Sequence, residues 1–166
     1  MHHLSAKILA TVLLLACAAA GSAQMTMPSA PPAATGLPRL LITADLLNGL
    51  PRRSVTVSEE DGSSATYSGV DLGLILAKNG APHGPTLRGA AAADYALVTA
   101  TDGYRAVFAL AELDAGLTDK VILLADARDG KPLEPKYGPF QIIIPDEKHR
   151  VRWVRNVREI DVAAAL

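Results

Sequence analysis

The chain has 166 residues, 49% of them hydrophobic, with 16 Lys and Arg against 17 Asp and Glu for a formal charge of -1. A chain this near neutrality lacks the basic excess of a nucleic-acid or membrane-surface binder. Cysteine occurs once, at Cys17, so disulfide staples are excluded as a source of stability and any fold must rest on its core.

The first 23 residues read as an export signal. Lys7 precedes an apolar run from Ile8 to Ala20, and Gly21-Ser22-Ala23 supplies a small-residue exit before Gln24. That pattern predicts a signal peptide cleaved after Ala23. The run is shorter than the roughly 20 apolar residues of a membrane span. Leu14-Leu15-Ala16-Cys17 also resembles a bacterial lipobox, and cleavage before Cys17 would leave a lipidated N-terminus. On either reading the protein is exported, periplasmic or secreted, with no transmembrane segment and no thiol in its folded part. Residues 24–37 are rich in Pro, Ala, Ser and Thr without apolar periodicity and read as a flexible linker. Residues 38–166 remain as one domain.

Along that domain Leu40 to Ile42 is a short strand candidate. Thr43 is a candidate cap for a short helix from Ala44 to Asn48, closed by Gly49. Arg53 to Ser58 alternates as a strand does, Asp61-Gly62 marks a turn, and Ser64 to Ser68 returns as the second hairpin strand. Glu59-Glu60-Asp61 reads as a solvated hairpin tip. Asp71 is a candidate N-cap for a helix over LGLILAK, with Leu72, Ile75 and Leu76 on one face and Asn79-Gly80 as its stop. His83 to Pro85 is loop, and the alanine-rich stretch from Arg88 to Asp94 is ambiguous. Tyr95 to Ala100 and Tyr104 to Phe108 form a second hairpin about Asp102-Gly103. A short helix covers Leu110 to Ala115. Val121 to Ala125 and Phe140 to Ile144 are buried strands, the second closed by Pro145. Asp129-Gly130 is a turn, and Val157 to Val162 is the last strand. Short strands paired mostly with their sequence neighbours, plus two or three short helices, predict an α+β fold with a mixed, barrel-like sheet core.

Little in the residues supports nucleophile chemistry. No Gly-x-Ser-x-Gly elbow and no glycine-rich phosphate loop occurs, and the domain's histidines, His83 and His149, lack metal-ligand spacing. The richest polar segment runs from Lys148 to Arg158, five cations around the only tryptophan, Trp153. It reads either as an anion pocket built on guanidinium groups or as an amphipathic segment with a buried Trp153 and a solvated basic face. Glu147, Glu159 and Asp161 lie close enough in sequence to neutralise part of it.

Five stretches in order complete the pattern: ITADLLNGLPRRSVTV, YSGVDLGLILAKNGAP, TDGYRAVFALAEL, VILLADARDGKPLEPKYGPFQIIIP and VRWVRNVREIDV. Together they resemble the molybdopterin-binding domain of the sulfite oxidase family of oxidoreductases. Gly130, Pro132, Leu133, Gly138, Pro139, Pro145, Arg152 and Trp153 stand at that family's marked places. The resemblance implies a molybdopterin (molybdenum) cofactor, held in part by the basic loop, which makes Lys148, His149, Arg150 and Arg152 the candidate cofactor-binding residues. It also implies a redox or protein partner. Two departures stand out. The family's metal-ligating cysteine is missing, and a gap-free match puts Asp61 at or near its place as the one candidate metal ligand. The family's long insertion before the Gly-Val-x-Leu segment is reduced here to Ser63–Ser68. The resulting expectations are a small molybdopterin oxidoreductase without its thiolate, a non-catalytic binding or interaction module on the same fold, or a small-anion binder.

Overall fold

In the computed structural model residues 36–59 and 61–165 are described. The export signal, the lipobox, most of the linker and Glu60 lie outside the described residues. Among the described residues nine strands and two short α-helices follow one another: β1 (Arg39–Leu41), β2 (Arg53–Ser58), β3 (Ser64–Asp71), α1 (Leu72–Lys78), β4 (Tyr95–Ala100), β5 (Arg105–Ala109), α2 (Leu110–Leu113), β6 (Leu123–Arg128), β7 (Lys131–Pro132), β8 (Gln141–Ile143) and β9 (Val157–Ala163). The class is α+β.

The strands form two separate antiparallel sheets rather than one mixed or barrel-like sheet. One has the order β1-β9-β4-β5; in the other, β2-β3-β6 is completed by β7 and β8, which both pair with β6. Hairpins pair β2 with β3 and β4 with β5. The joins that define the sheets link distant segments, however: β1 and β4 to β9, and β3 to β6. The expectation of mostly local pairing is corrected there. The physical reason is burial: Val70, Leu123, Leu124, Ile142 and Ile143 are fully enclosed, and apolar runs of this kind must find partners in the middle of a layered core.

Several local expectations change as well. The candidate helix after Thr43 is a single 3-10 turn, Ala44–Leu47, and neither Thr43 nor Asp71 caps its helix through the side chain. Asp71 instead meets Arg53 at 3.1 Å. β3 runs through Gly69-Val70-Asp71 before α1 starts. The ambiguous alanine stretch is a 3-10 turn, Gly89–Ala93. β6 begins two residues later than the apolar run that announces it.

The β3–β6 pairing skips Asp126, because Gly69 faces Ala125 while Ser68 faces Ala127. Such a bulge re-aims a side chain. Asp126 accepts two hydrogen bonds from Arg52, at 3.0 and 2.5 Å. Gly69 is required at this point: a Cβ would stand 2.1 Å from the Leu124 carbonyl oxygen.

Candidate functional site

The alternation of β2 sets one side of the site. Val55 faces Tyr67 and Val57 faces Ala65, and the same parity carries Glu59 inward past the end of the strand. Its side chain is only 13% exposed. One carboxylate oxygen accepts from the Arg150 guanidinium at 2.5 Å; the other lies 3.2 Å from both Arg128 and the Tyr67 hydroxyl. The reading of residues 59–61 as a solvated tip therefore fails at Glu59, since burial there is compensated by two guanidinium groups.

Arg150 also donates to the Ser58 carbonyl at 2.7 Å and lies with its guanidinium carbon 4.4 Å from the Trp153 ring centroid. Trp153 is buried, packs edge-on to Tyr67 at 6.0 Å, and donates its indole N–H to the Ile144 carbonyl at 3.1 Å. A buried indole needs such an acceptor. Burial pushes the Tyr67 phenol up to about 12, and the neighbouring Glu59 charge adds to the shift.

Arg152 forms a second hub. It donates to Glu147 through Nε at 2.8 Å and through a terminal N–H, and to Glu112 at 2.9 Å and the Val107 carbonyl at 3.2 Å. Its guanidinium stacks 4.8 Å over Phe108. Lys120 reaches the other oxygen of Glu112 at 2.8 Å. Burial by itself raises the Glu112 carboxyl, but the hydrogen bonds from Lys120 and Arg152 outweigh it and hold the group below the usual glutamate range.

The four candidate cofactor residues thus separate into two pairs. Arg150 and Arg152 are partly buried and engaged by carboxylates, whereas Lys148 and His149 are exposed. Of the nearby acids, Glu147 neutralises Arg152 and Glu159 neutralises Arg158 of this segment; Glu159 also holds Arg39, and Asp161 holds Arg39 alone. Asp61 sits at the tip of the β2–β3 hairpin. Its carboxylate accepts from the Ser63 amide at 2.9 Å and the Ser63 hydroxyl at 2.6 Å, and those bonds lower its pKa. Among the described residues no group of three or more His, Cys, Asp or Glu is placed to hold a metal ion. Among them, too, no helix is long and apolar enough to cross a membrane.

Two clefts open elsewhere. One, of about 590 Å3, lies between α1, α2 and residues 114–122; the other, of about 550 Å3, is walled by Leu133, Pro135, Pro139 and Phe140. Neither is lined by the basic loop. No protein-family model matches the chain, and no curated protein matches it.

Glu112 and Arg128 are polar residues that the sequence reading does not single out, and Glu59 is named there only as part of a solvated tip. For Glu59 a signal exists, since Val55-Val57-Glu59 continues the inward parity of β2. Glu112 and Arg128 carry none, because the partners that bring them to this site, Arg152 and Glu59, lie tens of residues away.

Proposed function

We propose that this chain is an exported, sulfite-oxidase-like molybdopterin-domain fold that serves as a non-catalytic binding or interaction module. The observation that carries the reading is the state of its arginines. A phosphate-bearing pterin needs guanidinium donors free to form paired hydrogen bonds. Here Arg150 is closed on Glu59, and Arg152 on Glu147 and Glu112. The residues at these positions do not fit that cofactor while those pairs are made. Asp61, at the place of the family's thiolate, has its carboxylate turned onto Ser63, and a hard, locally engaged oxygen ligand is a poor substitute for a soft sulfur one. The order of the five sequence stretches supports the ancestry, and the N-terminal signal pattern supports export.

The test is elemental and pterin analysis of protein purified from its own export route. The expected result is no molybdenum and no pterin fluorescence after denaturation. Molybdenum near one atom per chain would overturn the proposal in favour of an oxidoreductase.

A further inference from the structure

The larger cleft, about 590 Å3, falls within the size range of small-molecule sites. Its floor is apolar: Leu76, Leu110 and Ile122 are buried, and Leu113 packs on the core. Backbone contacts fix its shape. Gly73 lets α1 approach α2 so closely that a Cβ would stand 1.9 Å from the Leu113 carbonyl oxygen. Asp114 ties the rim together, accepting from the amide of Gly84 on one wall and, at 2.7 Å, from that of Gly116 on the other. Those amide bonds hold the Asp114 carboxyl below the usual aspartate range.

The rim has two cations, Arg53 and Lys120, against three carboxylates, Asp71, Asp114 and Asp119. Both cations are already engaged, Arg53 by Asp71 at 3.1 Å and Lys120 by Glu112 at 2.8 Å. The charged group left without a partner is a carboxylate. Asp119 makes no ion pair among the described residues. His83 has Nδ1 2.9 Å from the Ala81 carbonyl; a carbonyl only accepts, so in the neutral ring that nitrogen carries the hydrogen and Nε2 keeps a lone pair.

We infer that this cleft binds a small organic cation, an ammonium group on an apolar body. The body lies on the leucine floor and the ammonium faces Asp119 and the free edge of His83. The ammonium supplies the positive charge that Asp119 lacks as a partner, and the apolar body removes the floor from water. This gives the binding-module reading a ligand class and rests on that reading, while using neither Glu59, Arg150 nor Arg152.

The experiment is calorimetric titration of the purified chain with hexylamine, hexanol and hexanoate, three probes of one apolar length. The expected result is that hexylamine binds at least about tenfold more tightly than hexanol, and that hexanoate does not bind. Asp119→Asn should erase the preference for amine over alcohol. Ala77→Phe, which fills the cleft from α1, should abolish binding of both. Equal binding of amine and alcohol, an unchanged preference in D119N, or no binding of hexylamine at all would each overturn the inference. Molybdenum content measured on the same sample tests the broader reading separately: an amine result of either sign with no molybdenum leaves it standing, and molybdenum overturns it regardless.

Discussion

Replacing Arg152 by methionine separates a structural ion-pair hub from an anion donor held ready for a ligand. Methionine keeps an unbranched apolar stem over Phe108, so the substitution mainly removes charge and donors. The lost bonds are those to Glu147, Glu112 and the Val107 carbonyl. The three charged side chains are 29%, 23% and 17% exposed for Arg152, Glu112 and Glu147. A fully exposed pair contributes about 0–1 kcal/mol, and breaking a fully buried one costs about 3–5 kcal/mol. Partial exposure places this hub between the two, so R152M should lower stability by about 2–3 kcal/mol, measured as a reduced midpoint of urea unfolding at neutral pH. The sign of its pH dependence follows from Glu112. The folded carboxyl lies below its ordinary value of 4.5, so its contribution is complete above that value and is lost as pH falls through the folded pKa. Without Arg152 that depression shrinks, and the gap between wild type and variant should narrow in acid. A change within about 0.5 kcal/mol at neutrality, as for an ordinary surface residue, or a gap that widens in acid, would refute the hub.

A double-mutant cycle on Glu59→Gln and Arg150→Met should give a coupling of about 1–2 kcal/mol in urea unfolding; additivity within about 0.3 kcal/mol would mean that the pair contributes nothing. Tyr67 keeps its proton up to about pH 12 when folded and loses it near pH 10 when unfolded. The folded state therefore binds more protons between those values, and stability should fall with rising pH across that window, less steeply in E59Q. Gly73→Ala forces a Cβ against the Leu113 carbonyl and should cost about 3 kcal/mol by overpacking, read as a lower thermal midpoint. Asp61→Ala should speed hydrogen exchange at the Ser63 amide and leave metal content unchanged.

The local elements were legible because their signals are local. Asp61-Gly62, Asp102-Gly103 and Asp129-Gly130 all turn the chain, with Gly62, Gly103 and Gly130 at positive φ, which the missing Cβ permits. Leu72, Ile75 and Leu76 share the buried face of α1 as their spacing requires. What the pattern could not convey was which strands meet. Pairing of β1 and β4 with β9 depends on shape across a layer, and β9 is separated from β1 by most of the domain and from β4 by the whole stretch between Ala100 and Val157. The same holds for the site. Arg150 reaches Glu59 across 91 positions and Arg152 reaches Glu112 across 40, and no sequence window spans such a pair.

Trp153 clarifies why the basic loop resists a motif reading. An amphipathic segment with a buried indole was one expectation, and the indole is buried. The solvated basic face was the other half of it; Lys148, His149, Arg155 and Arg158 are exposed as that half requires, and it is corrected only at Arg150 and Arg152, which fold back over aromatic rings, Arg150 on Trp153 and Arg152 on Phe108. Stacking takes each guanidinium partly out of water, where an unpaired charge is costlier than in full solvent. Acids must then follow from other elements, Glu59 from the end of β2 and Glu112 from α2. The carboxylates are thus a consequence of seating Trp153 in the core with an arginine three residues before it and another immediately before it. Freeing either arginine for an external anion would require that anion to replace a partner already held at hydrogen-bond distance, which is why charge in this loop is evidence about packing before it is evidence about binding.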